Sequence, residues 1–201
     1  MSLFVTLDGP GGAGKSTLVA LVAEQLAAAG IPVFATREPS DGPLGTVARH
    51  QTATFSGTAL ACLVAADRYH HLAAEIHPAL AGGAVVVCDR YVPSSYVLQV
   101  RDGVPLDYIR QLNALAARPD LSVLVTAAPA TLEQRLTVRG VHSRFEHDGS
   151  SAIEAQLYDE LADVLAEDGF PPYYRIDTGE VPPQVAAAAI TDRIRRLSSR
   201  G

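Results

Sequence analysis

The octapeptide Gly9-Pro10-Gly11-Gly12-Ala13-Gly14-Lys15-Ser16 matches G-x-x-x-x-G-K-[ST], and no other stretch of the 201 residues constrains the fold as tightly. It follows the apolar run Leu3–Leu7 and precedes a stripe of helical period through Leu18, Leu21, Val22, Gln25, Leu26 and Ala29. That order is what phosphate binding requires. Glycines let backbone N–H groups converge on phosphate oxygens, and the following helix turns its positive end to the same anion. Lys15 would reach the outer phosphates as a point charge, and the Ser16 hydroxyl would be a ligand for Mg²⁺. The residues Gly9, Gly11, Gly12, Ala13, Gly14, Lys15, Ser16 and Thr17 are therefore expected to hold ATP with Mg²⁺. Pro10 stands where a partition-type ATPase loop carries lysine.

Short apolar runs continue to alternate with helical periods. Strands are expected at Leu3–Leu7, Val33–Thr36, Ala84–Cys88, Leu121–Thr126 and Tyr173–Ile176. Five strands spaced by helices predict an α/β fold: a P-loop, three-layer, doubly wound architecture around a five-stranded parallel sheet. A second helical stripe runs Leu60, Leu63, Val64, Asp67, Arg68, His71, Leu72, carrying charge on an otherwise apolar face. Further helices are expected at Asp107–Ala117, Thr131–Thr137, Ala152–Ala166 and Pro183–Leu197. The third of these would bury Ile153, Leu157, Leu161 and Leu165. With no repeat and no composition break, residues 1–201 read as one domain, with a Gly-, Ser- and charge-rich segment at about 139–151 long enough to form a mobile lid.

A hydrophobic content of 48% and a charged content of 19% fit a folded core. The net charge of -6 argues against non-specific nucleic-acid binding. Cys62 and Cys88 lie far apart and outside any CxxC pair, so both read as buried reduced thiols rather than a disulfide or zinc site. No apolar run approaches the ~20 residues needed to span a bilayer, and the N-terminus lacks a basic leader, so the expected compartment is the cytoplasm.

A phosphate loop alone leaves kinases, switch GTPases, transport ATPases and sulfotransferases open. No N-K-x-D guanine motif is present, nor a hydrophobic run ending in Asp-Glu. Asp89-Arg90-Tyr91 follows the third strand, so Asp89 and Arg90 would emerge where open α/β sheets bind ligands. There Asp89 would hold Mg²⁺ through water, and Arg90 would grip a second phosphate with its planar fork.

Taken in order, Asp8–Thr17, Thr36-Arg37-Glu38-Pro39, Ala66-Asp67-Arg68, Asp89-Arg90-Tyr91-Val92, Ser94-Ser95, Gln99, Arg118-Pro119-Asp120-Leu121 and the segment from Arg139-Gly140 to Arg144-Phe145-Glu146 resemble bacterial thymidylate kinases. The resemblance runs nearly end to end, through Tyr158–Ala162 and Ile176-Asp177. It implies transfer of the ATP γ-phosphoryl to a nucleoside 5′-monophosphate, dependence on Mg²⁺, and a homodimer. It casts Arg37, Arg49 and Arg90 as acceptor-phosphate contacts, Arg68 as a base-edge contact, and Ser95 and Gln99 as polar groups of the base pocket. Glu38 would lie near the acceptor sugar or the metal. Arg139 and Arg144 would neutralise charge on the moving phosphoryl, with Arg135 nearer the adenine and the lid hinge.

Two of these readings have alternatives in the residues themselves. Arg49 can equally be a solvated helix arginine, and Arg68 can be an internal ion pair with Asp67 or Glu75. Three positions depart from the family. Gly11 replaces the acid many bacterial members carry in the loop, Val64 replaces the aromatic that stacks on the base, and Leu98 replaces the tyrosine beside the sugar. These departures point away from plain thymidylate, while the retained Arg68, Ser95 and Gln99 make the expected acceptor a pyrimidine nucleoside monophosphate, dTMP-like. A modified nucleotide or other small acceptor, and a non-catalytic nucleotide-binding regulator, stay open as alternatives. A nucleic-acid partner is not expected.

Overall fold

The computed structural model describes residues 2–139, 145 and 149–199, with Arg139 described by its backbone alone. Five strands form one sheet: β1 (Leu3–Asp8), β2 (Val33–Arg37), β3 (Val85–Asp89), β4 (Leu121–Thr126) and β5 (Tyr174–Asp177). Their order is β2-β3-β1-β4-β5, and every pairing is parallel. A parallel sheet needs crossover helices and buries both faces, so its strands are apolar on both sides. Val5, Leu7, Val85, Val87, Val123, Val125 and Ile176 face one way, against α1 (Lys15–Ala28) and α10 (Pro183–Ser198). Phe4, Val86, Cys88 and Leu124 face the other, against α3 (Gly57–His71), α5 (Val92–Arg101) and α6 (Leu106–Leu112).

Each expected strand is present to within a residue at either end. The helices differ more. α6 stops at Leu112 because Asn113 leaves the helical conformation and its side-chain amide donates to the Ile109 carbonyl at 2.8 Å. The helix expected over Ala152–Ala166 is two helices, α8 (Ser150–Glu160) and α9 (Ala162–Glu167), hinged at Leu161. Leu161 and Leu165 are buried as expected and Leu157 partly so, but Ile153 stays half exposed, and α8 buries Ser150, Ser151, Glu154 and Tyr158 as well. The helix α7 (Pro129–Arg139) outruns its expected bounds, and α2 (Pro43–His50) and α5 had no clear apolar period. After α3 the chain continues through a π-helical turn, Leu72–Ile76, into α4 (His77–Ala81). Pro78 brings no N–H to the regular ladder, and widening the preceding turn accommodates it. Cys62 lies exposed on α3, contrary to the expectation from composition, while Cys88 is buried in the sheet. No helix among the described residues is long and apolar enough to cross a membrane.

Register sets the future site. Leu7 and Arg37 both pair with Asp89, so the carboxyl ends of β1, β2 and β3 finish level. Two loop glycines make the turn out of β1 possible. A Cβ at Gly9, whose φ is 145°, would lie 2.1 Å from the Val125 carbonyl oxygen, and one at Gly12 would lie 2.7 Å from that of Leu132. Gly14, with φ 91°, has open space around it.

The two kinds of glycine predict different penalties. Gly14→Ala should lower unfolding free energy by ~1 kcal/mol, the left-handed strain alone. Gly9→Ala should cost ~3 kcal/mol or more, because β4 must also move. Urea unfolding of both variants checks this. Equal losses would mean that the close packing of the loop on β4 contributes nothing.

Candidate active site

The loop from Gly9 to Gly14 wraps around the Lys15 ammonium, which donates to the carbonyls of Gly9 (2.9 Å) and Pro10 (2.8 Å). Lys15 is buried at the start of α1, where burial, and then the neighbouring Arg90 guanidinium, lower its pKa to about 7. The charge is thus marginal until an anion arrives. One residue on, the Ser16 hydroxyl donates to Asp89 Oδ2. The other Asp89 oxygen is buried without a partner among the described residues. On the far side of the loop, Arg135 donates to the carbonyls of Gly12 (3.4 Å) and Thr178 (2.9 Å) and to the Thr178 hydroxyl (2.9 Å). Ala13 joins this corner, its carbonyl accepting from the Thr178 hydroxyl at 2.8 Å.

Asp8, the last residue of β1, is fully buried. Its Oδ1 accepts from the backbone N–H groups of Tyr91 (3.0 Å) and Ser94 (3.1 Å) and from the Ser94 hydroxyl (2.6 Å). Those amides lie at the N-terminus of α5, at its cap residue and in its first turn, so Asp8 caps a helix from another element. Burial outweighs these bonds and raises its pKa. Between β3 and α5 the backbone turns at Arg90, which adopts φ 70°, a left-handed value uncommon for a side-chain-bearing residue. That turn sends its guanidinium back toward the loop, 3.3 Å from both the Gly9 carbonyl and the Ser94 hydroxyl.

A cleft of about 270 Å³ opens beside these groups, lined by Ser16, Asp89 and Arg90, which adjoin the loop, and by Val64, Ser95, Leu98 and Gln99 of α3 and α5. Arg37, Glu38, Arg49, Arg68 and Glu154 are among its other lining residues. Arg68 is 1% exposed and neither alternative partner holds it: it bonds Glu38 (2.7 Å), Ser95 (2.9 Å) and Asn113, with its guanidinium 5.2 Å from the centre of the Tyr91 ring. Burial opposes the Arg68 charge, but Glu38 together with Tyr91 and Asp8 offsets this, and the Arg68 pKa is raised. Among the described residues three of its five N–H donors are used. Asp67 instead accepts from the Ser40 amide and hydroxyl, both at 2.6 Å, fixing the turn after β2. Buried Gln99 leaves its side-chain oxygen without a partner among the described residues.

The two outer arginines are placed differently. Arg49 donates to the Ser40 (3.0 Å) and Pro39 carbonyls and to Asp41 (3.0 Å), so it is neither simply solvated nor free. Arg37 is half exposed and paired with Asp41 at 2.5 Å. Both guanidiniums border the cleft. Arg144 and the Arg139 side chain, expected to supply transition-state charge, lie outside the described residues, as does most of the expected lid.

The sequence reading missed Asp8 and the polar face of α8. Ser151 donates to the Gly11 carbonyl at 3.3 Å, Glu154 accepts from the Gly11 N–H at 3.0 Å and from Arg101 at 2.6 Å, and the Tyr158 hydroxyl lies 2.9 Å from that of Ser94. The spacing Ser151-Glu154-Tyr158 is a helical stripe of polar residues, and that stripe was the available signal.

Residues 7–168 match the family model described as Thymidylate kinase. A probable thymidylate kinase from Pyrobaculum aerophilum is 32% identical over 96% of this chain and 97% of its own. A thymidylate kinase from Pseudomonas fluorescens is 40% identical over 89% of this chain and 88% of its own. One from Xanthomonas oryzae pv. oryzae is 41% identical over 69% of this chain and 62% of its own.

The Lys15 geometry has a pH consequence. An ammonium held at about 7 in the free protein is mostly neutral at pH 8, and a bound polyphosphate favours the charged form. Nucleotide binding should therefore take up protons at pH 8, and affinity should fall as pH rises from 7 to 9. Titration calorimetry in buffers of differing ionisation enthalpy reads the uptake directly. Lys15→Met should abolish it; an unchanged uptake in that variant would remove Lys15 as its source.

Proposed function

The chain belongs to the thymidylate kinase family, and from that premise we propose that it transfers the γ-phosphoryl of ATP to a pyrimidine deoxynucleoside 5′-monophosphate, with thymidine monophosphate the reference acceptor. One observation carries the choice of acceptor class. The cleft joined to the phosphate loop has a phosphate-matching arginine, Arg90, beside the loop and, on α3 and α5, the Arg68 guanidinium and a Gln99 amide oxygen that has no partner among the described residues. A nucleoside monophosphate supplies a phosphate at one end and a base edge with both donors and acceptors at the opposite end. Gln99 would accept from the base, and Arg68 and Ser95 would donate to it or orient one another.

On this reading ATP lies along Gly9–Thr17, with Arg135 on the adenine side. The Lys15 ammonium exchanges its loop carbonyls for phosphate oxygens. Phosphoryl transfer needs alignment and neutralisation of charge spread over the moving group more than covalent help. Arg90 sits between the two phosphate positions and serves both ends. Arg37 and Arg49 hold the acceptor phosphate from its open side, and Arg139 and Arg144 are the arginines proposed to close over the transfer. Ser16 and the unpartnered oxygen of Asp89 fit a magnesium ion shared with ATP, since Mg²⁺ keeps waters and takes few protein ligands. Such an ion would supply neutralisation of the phosphate charge. A cytoplasmic homodimer accompanies this reading as a family expectation.

Val64 and Leu98 widen the base and sugar ends relative to an aromatic and a tyrosine. Losing one stacking face is worth ~1 kcal/mol, about fivefold, and affects affinity more than chemistry. The deciding experiment is ADP release with ATP and each common pyrimidine and purine nucleoside monophosphate, ribo and deoxy. Thymidine monophosphate or another pyrimidine should give the highest kcat/KM, and Lys15→Ala should abolish turnover with it. Turnover with no nucleotide acceptor, alongside intact ATP binding, would favour a nucleotide-binding regulator instead.

A further inference from the structure

The loop position that would carry an acid is Gly11, yet a carboxylate lies against it. Glu154 reaches from α8 to accept the Gly11 N–H at 3.0 Å, is 2% exposed, and lines the cleft. Its other oxygen takes the Arg101 guanidinium at 2.6 Å, and its charge acts on both Lys15 and Arg90. Burying a carboxylate is costly unless it is paired, and a helix normally buries its apolar side. Here α8 leaves Ile153 half exposed and buries Ser151, Glu154 and Tyr158 against the loop and the Asp8 network. The acid is therefore held at the junction of the phosphate loop and the cleft by two separate elements.

We propose that Glu154 reads the 3′-hydroxyl of the acceptor sugar, an acid brought in from α8 where the loop itself has glycine. The inference rests on the acceptor class proposed above. With the acceptor phosphate at Arg90 and the base at Gln99, the sugar lies between them. A deoxynucleoside monophosphate has one free sugar hydroxyl, and a carboxylate is the acceptor such an O–H wants. Each Glu154 oxygen already takes one hydrogen bond and keeps capacity for another. The amide and the guanidinium fix the carboxylate so that a third bond needs no rearrangement. Glu154 is thus a specificity residue, and it selects among sugars without touching the transferred group.

The test measures kcat/KM for thymidine monophosphate and for its 3′-deoxy analogue, with the intact chain and with Glu154→Gln. In the unaltered protein, removing the hydroxyl should cost about tenfold to a hundredfold, the range for one hydrogen bond to a charged group. In Glu154→Gln that penalty should shrink to about threefold or less, whatever the change in ATP affinity that follows from the lost charge beside Lys15. The same penalty in both proteins would make Glu154 a structural tether only and overturn the proposal. Equal kcat/KM for the two acceptors with the unaltered protein would overturn it too, and needs no variant to fold. Turnover of neither acceptor would instead remove the acceptor class itself, and this proposal with it.

Discussion

The carboxylate of Asp8 ties the two halves of the site together. It ends β1, the central strand, immediately before the phosphate loop, and it caps α5, which carries Ser94, Ser95 and Gln99. It thereby links the loop that follows β1 to the helix that carries Ser95 and Gln99. A charged or strongly polar group at the positive end of a helix is favourable, yet burial raises the Asp8 pKa, so the cap depends on the hydrogen bonds being complete. They nearly are: Tyr91, Ser94 and, through Ser94, Tyr158 of α8 all converge there. The second Asp8 oxygen has no partner among the described residues, a concentration of unmet polarity that fits a site awaiting ligand and ions.

Arg68 and Glu38 show the same economy on the acceptor side. Each is buried to 5% exposure or less, and both are far costlier alone than together. Their pairing is extended on one side to Ser95 and Asn113 and on the other to His71, whose ring nitrogens face Glu38 at 3.4 Å and Thr36 at 2.8 Å. The network spans β2, α3, α5 and the turn after α6, so the base end of the cleft is preformed. Pre-organisation of this kind limits the entropy lost when a nucleotide binds. The Tyr91 ring adds a cation–π contact to the Arg68 guanidinium, its centre 5.2 Å away.

Much of this was legible in the chain. Apolar runs gave the five strands because a doubly covered parallel sheet allows little else, and the glycine-lysine spacing marked the loop because few other residues fit Gly9 against Val125. Arg68 stood out as a charge on an apolar stripe, although its partner, Glu38, is 30 residues away and could not be read from spacing along the helix. Asp8 was visible but unassigned, since its partners lie 83 and 86 residues on. Glu154 was hidden for a different reason. The periodicity of Ile153, Leu157, Leu161 and Leu165 pointed to an apolar face, which holds for Leu161 and Leu165, but contacts with Gly11 and Ser94 turn Ser151, Glu154 and Tyr158 inward as well and leave Ile153 half exposed. Hydrophobic period predicts a helix well and its orientation poorly once a buried polar network competes.

The convergence of donor loop and acceptor cleft at Lys15, Asp89 and Arg90 has one direct chemical signature. ATP radiolabelled only in its γ-phosphate, incubated with the protein and thymidine monophosphate, should pass its label to the β-phosphate of thymidine diphosphate, with no more free phosphate than in a protein-free control. Label released as inorganic phosphate at the rate ATP is consumed would contradict it. That outcome would mean that water, not a nucleotide held in the cleft, occupies the position in line with the loop.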